Sequence, residues 1–338
     1  MARGLTETMP TADFSAIDAM PGGLPPSPPD PTPAKPNTRP TELQDPLNLY
    51  IYHPMARRLA RALSHTPVTP NMVSVFGGLM VVAAGVIYWG MDLWAKDWPM
   101  FVWPIGALTG MALHLGWHVV DGADGDLARM TGRASPIGEI VDGICDYASH
   151  IVLYFLLGAV LQRSIGGYAW PIMVAAGVSH IVQSNHVEVE KRFYLAWIYG
   201  VPWLHHNRSK ANGLTGMMQV FRPVVGLYMR LAAGLTPRAA RIDAVVSAAA
   251  GDADKLGRIR TIIGEERRPL LPLLKIMGPN PRAIVLGLGM LAGSPLWFFV
   301  YQALVLNALM ALSLILHDRA AQRIGMRLGE EGLIEALA

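Results

Sequence analysis

Four carboxylates stand where carboxylates are expensive. The segment from Asp121 to Asp146 reads DGADGDLARMTGRASPIGEIVDGICD and joins two apolar stretches. A carboxylate near the centre of a membrane helix costs about 2.5–3.5 kcal/mol, so each one is a functional candidate. Asp121 and Asp124 are three residues apart, and Asp142 and Asp146 are four apart. Each pair therefore shares a helix face. Gly132 can end the first helix, and Ser135 followed by Pro136 makes an N-cap and first turn for the second. A helical hairpin results, with two carboxylate pairs facing each other. Left bare, the four would repel. Divalent cations remove that conflict, and an all-carboxylate set favours hard ions such as Mg2+ or Mn2+, which also bridge phosphate oxygens. Gly125, Gly138 and Ala128 leave room for a bulky ligand. Arg129 can pair bidentately with a phosphate. Divalent ions and an arginine together suit phosphoryl transfer.

Such a hairpin needs an apolar scaffold. Of 338 residues, 52% are hydrophobic and only 16% are charged, against about 25% charged in a soluble domain. The 34 glycines suit close helix packing in lipid. Cys145 is the lone cysteine, so no intrachain disulfide can form. Spans of bilayer length are expected at about 71–91, 100–120, 136–161 and 168–183. The apolar run 283–316 is too long for one crossing, and Gly293-Ser294-Pro295 divides it. The expected fold is an all-α integral membrane protein with six transmembrane helices.

Lys and Arg alternate between the connecting segments. Arg57, Arg58 and Arg61 precede the first span, Arg129 and Arg133 follow the second, Lys191 to Lys210 follow the fourth, and Arg319 to Arg327 follow the sixth. That pattern puts both termini and the aspartates on the cytoplasmic side. Residues 1–45 show no signal peptide; their proline density reads as a disordered tail. Residues 46–70 read as an interfacial amphipathic helix, because LYIYHPMARRLARALS mixes arginines with apolar residues. Gly216 to Leu235 reads as a second interfacial segment. The catalytic domain is expected at 71–318, with a cytoplasmic helical insertion at about 190–281 and a cytoplasmic tail at 319–338. The nine tryptophans read mostly as interfacial anchors. His118 and His150 fall close to the aspartates, in packing or supporting roles. Ser179, His180, Gln183, Asn185, His186, Lys191 and Arg192 read either as a polar acceptor pocket or as an ordinary helix end.

The segment resembles the signature of the CDP-alcohol phosphotransferases, D-x2-D-G-x2-A-R-x8-G-x3-D-x3-D. Asp121, Asp124, Gly125, Ala128, Arg129, Gly138, Asp142 and Asp146 occupy every fixed position. Pro70-Asn71 also looks like the start of that family's first transmembrane helix. The resemblance implies metal ligation by Asp121, Asp124, Asp142 and Asp146, with two Mg2+ or Mn2+ ions. Asp146 is implied as ligand or general base. Asn71, Gly125, Ala128, Arg129 and Gly138 are implied in the nucleotide site. It implies a CDP-diacylglycerol-type donor, a small alcohol, polyol or polyol-phosphate acceptor, and release of CMP. A homodimer in a bacterial inner membrane is expected, with no nucleic-acid partner. Two other readings use intramembrane carboxylates: a prenyltransferase acting on a lipid diphosphate, and an ion transporter. The first needs a second Asp-rich motif, yet residues 283–316 carry no acid. The second needs internal repeats or broken midplane helices.

Overall fold

The computed structural model describes residues 40–94, 102–201 and 237–333. The proline-rich tail up to residue 39 and the segment Gly216 to Leu235 lie outside them. Among the described residues the fold is all-helical. A short turn at Thr41–Leu43 and a π-turn at Asn48–Tyr52 lead into α1 (His53–Ser64). Then come α2 (Pro70–Trp94), α3 (Val102–Met130), α4 (Pro136–Ile165) and α5 (Ala169–Tyr199). After the undescribed stretch follow α6 (Pro237–Ala248), α7 (Ala253–Arg267), α8 (Leu271–Ile276) and α9 (Pro279–Leu291). The last rod consists of α10 (Leu296–Val300), a π-turn at Tyr301–Val305, and α11 (Leu306–Glu330).

The chain is an integral membrane protein. Three described stretches are long and apolar enough to cross a bilayer: Pro70–Leu93, Val141–Tyr199 and Leu296–Glu330. The second contains α4 and α5, which the turn at Gly166–Tyr168 separates. Several helices outrun the apolar runs that signal them. α3 continues through all of Asp121 to Arg129, and α5 carries Lys191 and Arg192 on to Tyr199. Backbone hydrogen bonding favours extending a helix wherever nothing breaks it, and hydropathy does not register that.

The core explains why the hairpin is rigid. α2 packs along both α3 and α4, and α9 packs on α3. Val81, Tyr88, Trp117, Leu153, Leu157, Leu286 and Phe298 bury their side chains in one cluster. A Cβ on Gly77 would come within 3.2 Å of the Trp117 ring, so the glycine lets α2 and α3 approach closely. α1 lies across α3 with Ala56 and Ala60 fully buried, while Arg57, Arg58 and Arg61 point outward. The N-terminal strap is tied down at two points. Glu42 accepts hydrogen bonds from Tyr194 (2.6 Å) and Tyr199 (2.7 Å) and pairs with Arg268. Asp45 accepts from Asn280 at 2.8 Å.

A second, polar-centred cluster joins α5, α7 and α11. Arg267 and Glu190 form an ion pair of 2.5 Å with side chains 4% and 0% exposed. The Arg267 guanidinium sits 5.0 Å over the Trp197 ring, and His317 approaches Glu190 at 3.7 Å.

Candidate active site

The two helix ends that carry the aspartates are set by local chemistry. Gly132 adopts φ +66°, a left-handed conformation that favours glycine. The Arg133 amide then donates to the Ala128 carbonyl at 2.8 Å, closing α3 in a Schellman-type cap. The Ser135 side chain accepts from the Gly138 amide at 3.1 Å and opens α4. Both caps follow the sequence reading.

Across this hairpin the aspartates meet crosswise. Asp121 contacts Asp146, and Asp124 contacts Asp142, each pair in hydrogen-bonding range. One carboxylate oxygen from each of Asp121, Asp142 and Asp146 lies within 4.8 Å of the others. Asp124 is the most deeply held of the four. The Ser74 hydroxyl donates to it at 2.6 Å, and the Gly125 amide also donates to it. Asp146 accepts from the Trp117 indole N–H at 3.2 Å.

This donor set fits divalent cations. Two carboxylates in contact must share a proton or a cation, and here two such contacts lie side by side. The Ser74 hydroxyl and the Trp117 indole are among the neutral side chains that donate to these acids. Hard, oxygen-seeking ions suit such a set.

The nucleotide-side residues surround the same hairpin. A Cβ on Gly138 would lie 3.7 Å from the Asn71 side-chain oxygen, so Asn71 meets the start of α4. A Cβ on Gly125 would lie 3.4 Å from the Arg129 guanidinium. Arg129 itself is exposed and paired with Asp126 at 2.5 Å. Sequence reasoning passed over Asp126, though its i,i+3 spacing to Arg129 was a usable signal. Ala128 is half-buried behind the cap.

Other placements correct or refine the sequence reading. Trp117 is a buried site residue, and Trp197 is buried under Arg267; neither anchors at an interface. Several polar residues of α5 face the last rod, while His180 bonds to Tyr154 of α4. Ser179 accepts from Asn307, Gln183 donates to the Gln302 carbonyl and to Asn307, and His186 meets Ser313. Arg192 is exposed and paired with Glu188. His118 and His150 both pack against the Trp117 ring, at 4.6 and 4.7 Å between ring centres.

Comparison with known proteins converges on this hairpin. Residues 67–197 match the CDP-alcohol phosphatidyltransferase family. Human ethanolaminephosphotransferase 1 is 26% identical over 173 residues, which are 46% of this chain and 41% of that protein. The archaetidylinositol phosphate synthase of Aeropyrum pernix is 29% identical over 133 residues, 37% of this chain and 61% of that protein. The chain thus spans less than two thirds of the curated relatives it matches. No solved structure matches it. The segment that resembles this family contains all four aspartates, both caps and Asn71.

Proposed function

We propose that the chain transfers a substituted phosphate group from a CDP-alcohol, of the CDP-diacylglycerol type, to an acceptor hydroxyl and releases CMP. The observation that carries this reading is the crosswise contact of four carboxylates on a capped hairpin within the family segment. Among the described residues, Asp121, Asp142 and Asp146 form the only cluster of three or more metal-ligating side chains. A prenyltransferase would need a second one.

Asp121, Asp124, Asp142 and Asp146 would hold one or two Mg2+ or Mn2+ ions. Bound there, such ions would neutralise the diphosphate and the charge that develops on the departing CMP. Asn71, Gly125, Ala128 and Gly138 leave room for the nucleotide beside them, and Arg129 exchanges Asp126 for a phosphate oxygen. Apolar Met72, Val75, Phe76 and Leu79 line a surface groove with Asn71, a fitting berth for a lipid tail. The acceptor oxygen attacks the phosphorus that bears the donor alcohol. The bond from that phosphorus to the bridging oxygen breaks, CMP keeps the electron pair, and the acceptor proton passes to Asp146. The Trp117 N–H holds the Asp146 carboxyl in one orientation while that proton arrives.

The test is CMP release by the full chain in detergent with CDP-diacylglycerol, CDP-ethanolamine and a panel of alcohols. Chelation abolishes release, and Mg2+ or Mn2+ restores it; full activity in excess chelator overturns the reading. The same reading has six crossings with α1 lying in the headgroup layer, a homodimer, and the aspartates facing the cytoplasm. In a Cys145→Ser background, Ile165→Cys labels from outside the cell and Glu330→Cys labels only after permeabilisation. The reverse labelling overturns that orientation.

A further inference from the structure

One ion pair beside the aspartates stands in the way of the reaction above. Asp126 and Arg129 lie in the last turns of α3, three residues apart, and helix geometry brings their side chains together. Arg129 Nη2 is 2.5 Å from Asp126 Oδ1, with side chains 40% and 19% exposed. The place of the pair matters more than its strength. A Cβ built on Gly125 would meet Arg129 Nη1 at 3.4 Å, Nη2 at 3.6 Å and Cζ at 3.8 Å, its three nearest neighbours outside the helix backbone. The space left by the missing Gly125 side chain is therefore covered by a guanidinium from the same helix.

Gly125 and Arg129 are two groups that the phosphotransferase reading gives to the donor, the glycine for room and the arginine for a phosphate oxygen. Here one fills the other's room, and Asp126 holds it there. Asp126 is one residue past Gly125, about 100° round the helix, and turned away from the face that Asp121 and Asp124 share. Asp124 is also within electrostatic reach of Arg129, but its oxygens already accept from the Ser74 hydroxyl and the Gly125 amide. A guanidinium uses the same planar N–H groups for a carboxylate and for a phosphate. A phosphate that approaches Gly125 must move the guanidinium off it, and the displaced group gives up Asp126 for the phosphate. An exposed pair of this kind is weak, so the exchange is reversible on every turnover.

We propose that Asp126 is an intramolecular competitor of the nucleotide. It holds Arg129 over Gly125 before the donor binds, yields it to a nucleotide phosphate, and recaptures it as CMP leaves. The inference rests on the phosphotransferase reading and adds to it an affinity-setting residue that does not touch the reacting atoms. The benefit falls at product release. CMP departs with a phosphate of its own, and a carboxylate three residues from the arginine loosens the hold on that product as well as on the donor.

The experiment uses the full chain in detergent with Mg2+, as the native protein, Asp126→Asn, Arg129→Gln and the two substitutions combined. Asp126→Ser repeats the charge removal with a different side chain. CMP is the binding probe, titrated by calorimetry, and CMP release from CDP-diacylglycerol and CDP-ethanolamine gives donor KM. Asp126→Asn tightens CMP by about two- to five-fold and lowers donor KM by a similar factor. In the Arg129→Gln background the same substitution changes neither quantity, because no guanidinium is left to hold. Where that background binds CMP too weakly to titrate, the initial slope of release against donor concentration gives kcat/KM for the same comparison. Removing a negative charge near an anion through space alone would tighten both backgrounds equally, and that result overturns the proposal. Unchanged or weaker CMP binding in Asp126→Asn overturns it too. CMP affinity that follows this pattern, without CMP release from any donor, keeps the competition and overturns the transferase reading. Release from a donor with affinities indifferent to Asp126 does the reverse.

Discussion

Two buried clusters of charge in this protein are built on opposite principles. At Glu190 the carboxylate is matched from within: Arg267 lies at 2.5 Å, His317 at 3.7 Å, and the whole group is sealed between α5, α7 and α11. At the α3–α4 hairpin, four carboxylates meet one another crosswise, with the neutral donors Ser74 and Trp117 among their partners. The first arrangement sets a buried base against a buried acid and holds the helices together. The second gathers like charges in one place, a donor set that could hold a cation. The balance of charge, more than burial or proximity, separates a structural cluster from a reactive one here.

The comparison can be broken most directly at the hairpin. Asp121→Asn lowers CMP release by about a thousand-fold or more and weakens donor binding with it. Without added metal its thermal stability is unchanged or higher, because a repulsion is relieved. Asp146→Asn mainly lowers turnover, by about a hundred-fold or more, with a smaller loss in donor affinity. Near-normal turnover in Asp146→Asn together with normal donor binding in Asp121→Asn would remove both assignments. Glu190→Gln acts on the other axis. It leaves Arg267 buried and unmatched, and unfolding measured by denaturant is easier by about 3–5 kcal/mol. Glu190→Met combined with Arg267→Leu recovers most of that loss. If Asp142→Asn destabilises the metal-free protein as much as Glu190→Gln does, the contrast between the clusters fails.

Smaller effects sharpen the picture. Trp117→Phe keeps the ring packing and removes the N–H bond to Asp146, and kcat falls about ten-fold or less with donor KM unchanged. An equal fall in Trp117→Ala and Trp117→Phe is the signature of that hydrogen bond; a fall confined to the alanine variant assigns Trp117 to packing alone. The smallest effect is at the strap. Burial raises the Glu42 carboxyl, but hydrogen bonds from Tyr194 and Tyr199 and the Arg268 charge outweigh it and hold it below the usual carboxylate range. A lowered folded-state value means stability that is present above the ordinary glutamate range and lost as pH falls through the lower, folded value. Glu42→Gln therefore lowers stability at neutral pH by less than about 1 kcal/mol. The native and variant unfolding curves converge in acid; a difference that persists or grows there contradicts the assignment.

Much of the hairpin was legible in the residues themselves. Its aspartate spacing, the Gly132 stop and the Ser135-Pro136 start are local features, and local features fix which face a side chain occupies and where a helix begins and ends. The break at Gly293-Ser294-Pro295 was equally local, and it separates α9 from α10. The ends of α3 and α5 were less legible, because hydropathy marks lipid contact while helical hydrogen bonding continues beyond it. Trp117 looked like one of many tryptophans.

The order and identity of the residues therefore determined the all-helical scaffold, the two caps and the carboxylate pairs on their faces. The tertiary structure alone decided that Asp121 meets Asp146 and Asp124 meets Asp142, that Trp117 turns its N–H to Asp146, and that Arg267 is buried against Glu190. The physical reason is range. Caps and helix faces arise within one or two turns of chain, whereas a charge is matched or unmatched according to which distant helix packs beside it.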